Sequence, residues 1–181
     1  MKIPYRIANA VHATDFVNLA VGGMGYVNPN YAAPFDQYVL TQTVQDQITD
    51  ANLITIQLGV NDGDYTLQQI EASLRNALNS IVSVNPKCQI VLIQATPYTS
   101  DNRPFISTMP GGWTLDSFYG MLGSVAHDFN CATVPWYDLR LMLSWSDFSG
   151  AGGNWAHPKT ADIYYQMGNF IGGRVAQFYQ N

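Results

Sequence analysis

Charged side chains are scarce in this 181-residue chain, where Asp, Glu, Lys and Arg together make up only 12% of the residues. There are 8 Lys and Arg against 13 Asp and Glu, for a formal net charge of −5, and no basic run occurs. Surfaces that bind nucleic-acid phosphates depend on clustered Lys and Arg. The composition therefore argues against a nucleic-acid partner and predicts a surface built from uncharged polar and aromatic side chains.

Long apolar runs are also absent. No stretch approaches the ~20 consecutive apolar residues of a membrane-spanning helix, so no membrane span is predicted. The N-terminal residues MKIPYRIANA lack the apolar core of a signal peptide. The sequence encodes no localisation, but its uncharged polar surface favours sugars or a larger assembly, and hence an extracellular, cell-surface or virion-associated setting.

Cysteine occurs only twice, at Cys88 and Cys131, each inside an apolar run. Free cysteines are among the most buried residue types, so we expect two core thiols, with a disulfide as the alternative. The spacing is not that of a CxxC-type metal site. No metal and no cofactor is predicted.

Hydrophobic residues are plentiful, at 47%, and predict one folded domain over residues 1–181. Four runs have the apolar character of strands: Phe16–Val21, Asn52–Leu58, Gln89–Ala95 and Cys131–Leu139. Near-continuous apolar strands are typical of a parallel sheet that is covered on both faces.

Helical patterns alternate with these runs, over Tyr5–Ala13, Pro34–Ile48, Tyr65–Val84, Leu115–Phe129 and Thr160–Tyr179. Thr66 and Gln69 can form a capping box at the start of the third helix. The alternation predicts an α/β fold with a doubly wound, flavodoxin-like parallel sheet. Because the pattern begins on a helix, whereas such folds begin on a central strand, the domain is predicted to be N-terminally incomplete and to lack its first central strand.

Three motifs lie where an open α/β sheet gathers its reactive groups, outside the carboxyl ends of the strands. They are Gly22-Gly23-Met24-Gly25 after the first strand, Gly59-Val60-Asn61-Asp62 after the second, and Asn154-Trp155-Ala156-His157-Pro158 before the last helix. Each alone has a plainer interpretation: a tight turn, a turn with a helix cap, and a structural histidine. Together they predict that Gly23, Asn61 and His157 converge on one cleft.

In this order and spacing, NLAVGG, LGVND and NxxHP resemble blocks II, III and V of the SGNH (GDSL-type) serine esterase family, including its bacterial and phage-encoded members. The resemblance covers essentially the whole chain. It implies acyl transfer from an ester, with the backbone N–H of Gly23 and the side-chain amide of Asn61 donating to the oxyanion. It also implies that His157 is the general base, with Asn154 as its hydrogen-bond partner.

Two features depart from the family pattern. The Gly-Asp-Ser-like block I, which carries the nucleophile, should precede NLAVGG, but no serine occurs before Ser73, which lies in a predicted helix. Asn154 stands where the family has aspartate, and the equivalent change in a triad protease lowers kcat about 10⁴-fold. We therefore expect the nucleophile to come from outside this chain, on an upstream segment or on a partner chain that completes the sheet.

The favoured function is hydrolysis of acyl or acetyl esters of carbohydrate. Asp62, Trp113 and Trp155 are predicted to bind the substrate, and Trp145 to border the same cleft, because flat aromatic rings suit sugars. The alternative is an inactive SGNH-fold module that binds carbohydrate or has a structural role in a phage virion or a bacterial surface protein. A flavodoxin-like signalling domain shares the alternating pattern, but it explains neither Asn61 nor the NxxHP motif.

Overall fold

The computed structural model describes residues 3–29, 33–94, 108–135, 143, 147–148 and 157–179. Its helices are α1 (Ile3–Ala10), α2 (Phe35–Tyr38), α3 (Gln42–Thr49), α4 (Leu67–Val84), α5 (Leu115–Asp128) and α6 (Ala161–Phe178), and its strands are β1 (Leu53–Ile56), β2 (Gln89–Ile93) and β3 (Ala132–Val134). Helices and strands alternate from α3 to α6, as the sequence predicts.

The three described strands form one parallel sheet in the order β1-β2-β3. β1 pairs with β2 from Leu53 opposite Gln89 to Ile56 opposite Leu92. Every β2 residue after Gln89 is buried, as expected for a central strand that is covered on both faces. The predicted α/β fold with a parallel sheet is confirmed.

The start of α4 is the predicted capping box. Thr66 Oγ1 accepts a hydrogen bond from the Gln69 N–H at 3.3 Å, and Gln69 Oε1 accepts one from the Thr66 N–H at 2.9 Å. From there the helix buries one apolar face, which includes Ile70, Leu74, Leu78 and Ile81. The apolar residues that recur at three- and four-residue spacing in the sequence therefore lie on the side of α4 that packs into the core.

Two predicted elements differ from the structure. Phe16–Val21, predicted as the first strand, is not a strand of the described sheet, and Val17 is 50% exposed. Apolar composition alone does not decide whether an extended segment joins a given sheet. The helix predicted over Pro34–Ile48 is instead two helices, α2 and α3, separated by a turn at Val39 and Leu40 and a bend at Thr41.

The chain divides into two compact units. In the first, α1 packs on α6, where a Cβ at Gly172 would lie only 2.8 Å from the carbonyl oxygen of Arg6. The second contains β1, β2 and α2 to α5, with a core that includes Leu74, Leu92, Phe118 and Leu122. The assignment of residues 1–181 to one domain stays a prediction. Within the described ranges, no helix is long and apolar enough to cross a membrane.

Candidate active site

The glycine-rich loop at residues 22–25 makes a sharp turn at Gly23. Gly23 has a φ of 77°, in the left-handed region that residues with a Cβ rarely adopt. The next residue closes the turn, since the Met24 N–H donates to the carbonyl oxygen of Val21 at 3.3 Å. Among the described residues, the N–H of Gly23 itself meets no hydrogen-bond acceptor.

A second glycine directs the chain after β1. Gly59 has a φ of 118° and precedes a short 3₁₀ turn over Val60–Asp62, which is closed by the Asp62 N–H donating to the Gly59 carbonyl at 3.1 Å. A Cβ at Gly59 would overlap the ring of Phe118. Only glycine fits this position, so the turn that aims Asn61 and Asp62 depends on it.

Asn61 links this turn to the glycine-rich loop. Its side-chain Nδ2 donates to the carbonyl oxygen of Met24 at 3.0 Å, and its own carbonyl accepts from Asn28 Nδ2 at 2.9 Å. The structure thus brings the Asn61 amide next to the residue that follows Gly23, although the two positions lie far apart in sequence. An amide nitrogen carries two N–H donors, so one remains after the bond to Met24.

Asp62 is fully buried, and both of its carboxylate oxygens are used within the protein. Oδ2 accepts from the backbone N–H of Tyr26 at 2.7 Å, and Oδ1 accepts from those of Val27 and Asn28, each at 2.9 Å. Burial raises the pKa of Asp62, while the three donors act in the opposite direction. The sequence predicted that Asp62 contacts the substrate. In the structure its carboxylate instead holds the turn at residues 26–28.

The turn at Tyr26 is also fastened to α4. The hydroxyl of Ser73 donates to the carbonyl oxygen of Tyr26 at 2.6 Å, so the first serine of the chain is a buried helical residue with a structural bond. The Tyr26 hydroxyl is buried and has no partner among the described groups. Burial raises the pKa of Tyr26, and the nearby charge of Asp62 raises it further. Neither side chain is placed to act as a nucleophile.

Trp113 has a role inside the core. It is 4% exposed, its indole N–H donates to the carbonyl oxygen of Tyr65 at 2.9 Å, and its ring stacks on Phe118 with 5.1 Å between centroids. This burial leaves almost no ring surface for a sugar, in contrast to the predicted substrate contact. Trp145, Asn154 and Trp155 lie outside the described residues.

His157 is exposed at the entrance to α6, next to the buried Pro158. The Lys159 N–H donates to the carbonyl oxygen of Asp147 at 2.9 Å, and Thr160 caps the helix by accepting from the Ile163 N–H. His157 belongs to the first compact unit, whereas Gly23 and Asn61 belong to the second. Its convergence with them on one cleft stays a prediction.

Gly25 and Asn28 of this loop were not predicted from the sequence to be functional positions. Gly25 lies against the carboxylate of Asp62, where a Cβ would overlap the carboxylate. Asn28 bridges to Asn61 through its side chain. The signal for both was the GMGYVNP stretch, in which Gly and an Asn before Pro mark a constrained turn. Over the described part of the chain, no group of three or more His, Cys, Asp or Glu could hold a metal ion.

Comparison with known proteins places this geometry in a family. Residues 2–164 match the GDSL-like lipase/acylhydrolase family. No curated protein matches the chain. The fold is similar to that of a Lactobacillus plantarum protein (13% identity, TM-score 0.69, covering 99% of this chain and 89% of that one). It also resembles the inhibitor-bound aryl esterase of M. smegmatis (12% identity, TM-score 0.69, covering 98% of this chain and 86% of that one). A third similar fold is that of a carbohydrate esterase of family 3 from Talaromyces cellulolyticus (14% identity, TM-score 0.59, covering 97% of this chain and 89% of that one).

At these identities the solved structures establish the fold alone, whereas the family match extends over almost the whole chain and includes the NLAVGG, LGVND and NxxHP motifs. The chain therefore belongs to the GDSL-like lipase/acylhydrolase family, with the SGNH hydrolase fold.

Proposed function

We propose that this chain supplies the oxyanion donors and the general base of an ester hydrolase that acts on acyl or acetyl esters of carbohydrate, with a nucleophile from outside these residues. The observation that supports this most is the Asn61 amide, which donates to the carbonyl oxygen of Met24 at 3.0 Å, one residue after Gly23, whose N–H meets no acceptor among the described residues. Two neutral donors on neighbouring turns suit an oxygen that becomes negative during the reaction.

Attack on an ester carbonyl converts its oxygen into an oxyanion. The Gly23 N–H and the second N–H of Asn61 would donate to it, and neither group changes its protonation during the reaction. Because both are fixed by backbone geometry and by hydrogen bonds, they need little reorganisation as the charge develops. Removing one such donor lowers kcat by about 10²–10³-fold in enzymes of this kind.

His157 would take the proton of the attacking hydroxyl and return it to the leaving alcohol. His157 is exposed just before the start of α6. Asn154 can hydrogen-bond a neutral imidazole, but unlike aspartate it does not stabilise the imidazolium by charge. We therefore propose an enzyme with a lower kcat than one that has a complete triad.

The open edge of β1 supports a nucleophile from outside. The Gln89 N–H donates to the Asn52 carbonyl at 3.0 Å, which directs the backbone groups of Asn52 and Ile54 toward β2. In a parallel ladder the alternate residues, Leu53 and Thr55, then face the other way, and no described residue hydrogen-bonds to them there. A strand added parallel to β1 would end beside the turn that carries Asn61.

Carbohydrate is the proposed substrate class on two grounds. The chain has few charged residues and many aromatic ones, 12% and 13%, as suits a surface for neutral polar ligands. Its fold is also similar to that of a carbohydrate esterase of family 3. Of the three tryptophans predicted to border the cleft, Trp113 is buried, and Trp145 and Trp155 are the ones proposed to stack on a sugar.

A second candidate is an SGNH-fold module without catalysis, which binds carbohydrate or has a structural role in a virion or on a bacterial surface. Asn154 in place of aspartate favours it. So do Ser73 and Ser117, whose hydroxyls are engaged within the protein, the first on Tyr26 and the second in the cap of α5. This candidate predicts carbohydrate binding without ester hydrolysis in every form of the protein.

The test compares hydrolysis of p-nitrophenyl acetate by this chain alone with hydrolysis by a form extended through the residues encoded upstream of Met1. We expect activity in the extended form only, with Asn61→Ala lowering kcat about 10²–10³-fold and His157→Ala abolishing most of the rest. Equal inactivity of both forms, together with carbohydrate binding, would favour the module instead.

A further inference from the structure

Asp62 is the residue that the proposed chemistry leaves unexplained. It follows Asn61 directly, it is fully buried, and it has no exposed oxygen for a substrate. A buried carboxylate is costly unless hydrogen bonds compensate it. All described hydrogen bonds of its carboxylate come from one short segment, the backbone N–H groups of residues 26–28.

That segment is tied in turn to the proposed oxyanion donors. The Gly25 N–H donates to the carbonyl oxygen of Asn28 at 3.0 Å, which closes the loop that Asp62 holds. The side chain of Asn28 donates to the carbonyl of Asn61, and the side chain of Asn61 donates back to the carbonyl of Met24. Any movement of the turn therefore moves Met24, the acceptor that orients the Asn61 amide, and its neighbour Gly23.

A carboxylate is suited to this task in a way that an amide is not. Its two oxygens only accept hydrogen bonds, and here they satisfy three backbone donors at 2.7 to 2.9 Å. An asparagine has one acceptor oxygen, so its NH₂ group would face at least one backbone N–H. Gly25 completes the fit, since the carboxylate occupies the space where any side chain at this position would begin.

We propose that Asp62 is a positioning residue, which fixes the 24–28 loop through three backbone N–H groups and thereby sets the Asn61 amide and the Gly23 N–H. It acts through the loop and does not touch the substrate. The catalytic consequence rests on the proposed function, whereas the positioning itself does not.

The test uses ¹⁵N-labelled chain and the NMR signals of the Asn61 side-chain NH₂ and the Gly23 backbone N–H. Asp62→Asn is compared with Ser73→Ala, a matched control that removes another buried hydrogen bond to the same turn, at the Tyr26 carbonyl. We expect Asp62→Asn to shift and broaden both signals. Ser73→Ala should leave them near their original positions, even if it lowers the unfolding temperature as much.

Unmoved Asn61 and Gly23 signals in folded Asp62→Asn would overturn the inference. If that variant does not fold, through-hydrogen-bond couplings in the unmodified chain decide, between the ¹³Cγ of Asp62 and the ¹⁵N of Tyr26, Val27 and Asn28. Their presence supports the positioning network, and their absence overturns it.

Activity separates the inference from the proposed function. In the catalytically complete form, Asp62→Asn should lower kcat about 10²-fold with little change in KM, because misplaced donors act on the transition state. Shifted signals without hydrolysis in the unsubstituted protein would mean that the proposed function fails and the positioning stands. Hydrolysis that is unchanged in Asp62→Asn would mean that the proposed function stands and that the positioning role of Asp62 fails.

Discussion

The carboxylate of Asp62 occupies the space that a Cβ at Gly25 would fill, since its Oδ1 would overlap that atom. This contact joins the GGMG loop to the LGVND turn, two motifs that come from separate parts of the sequence. The backbone N–H groups of residues 26–28 donate to the Asp62 carboxylate, and Asn61 donates to Met24, which makes the two motifs one structural unit. The placement of both proposed oxyanion donors depends on this unit.

Gly25→Ala is expected to destabilise the protein by about 1–3 kcal/mol, because the added methyl must displace a buried, fully bonded carboxylate. Gly22→Ala is the control, since a Cβ there meets nothing within 4 Å. Urea unfolding followed by circular dichroism measures both. Equal free energies of unfolding for the two variants would show that the close contact with Asp62 has no energetic weight.

Gly59→Ala combines two penalties, a positive φ of 118° and overlap with the Phe118 ring. Gly112→Ala has only the first, with a φ of 85° and open space around the new methyl. We expect a loss of about 1–2 kcal/mol for Gly112→Ala and a clearly larger loss for Gly59→Ala. Thermal unfolding of the two variants side by side gives the difference, and a smaller loss at Gly59 would contradict the packing described for this turn.

Burial raises the pKa of Cys88 and of Cys131 to about 11, from an ordinary value of 9.0. A backbone hydrogen bond with Ile54 lowers the pKa of Cys88 to a lesser extent, and the charge of Cys88 adds to the rise in the pKa of Cys131. Since the folded pKa is raised, the neutral thiols stabilise the fold fully below pH 9, and this contribution is lost as the pH rises toward 11. Iodoacetamide should therefore label both slowly at pH 8 and much faster in urea, as read by mass spectrometry. Labelling of the folded protein at the rate of a free thiol would contradict this.

Asn154→Asp is expected to raise kcat in the catalytically complete form, by up to about 10⁴-fold, because a carboxylate stabilises the imidazolium of His157. Asn154→Ala is the control and should not activate. The measurement is the rate of p-nitrophenyl acetate hydrolysis at saturating substrate. No gain from Asn154→Asp would argue against a partnership between residues 154 and 157.

The elements that the sequence predicted well are those whose signals are local. The capping box at Thr66 and Gln69 and the apolar face of α4 depend on residues within a few positions of each other. The strands β1 and β2 are marked by uninterrupted apolar runs. Their bounds in the structure, Leu53–Ile56 and Gln89–Ile93, fall inside the predicted ranges.

The predictions that differed from the structure depend on distant partners. Phe16–Val21 has the composition of a strand, but it is not one of the strands of the described sheet. Trp113 and Asp62 have side chains that suit a sugar site. In the structure the indole N–H of Trp113 donates to the Tyr65 carbonyl. The carboxylate of Asp62 accepts from the backbone N–H groups of residues 26–28. Asn61 bonds to Met24, next to Gly23, but the predicted convergence of Gly23, Asn61 and His157 on one cleft stays a prediction.

The central claim is that these residues hold the oxyanion donors and the base while the nucleophile comes from elsewhere. The most direct test treats the upstream-extended form with a fluorophosphonate ester and locates the adduct by peptide mapping. We expect one stoichiometric adduct on a serine of the added segment, none on the 181 residues of this chain, and loss of labelling in His157→Ala. A stoichiometric, His157-dependent adduct on a serine within these 181 residues would contradict the account.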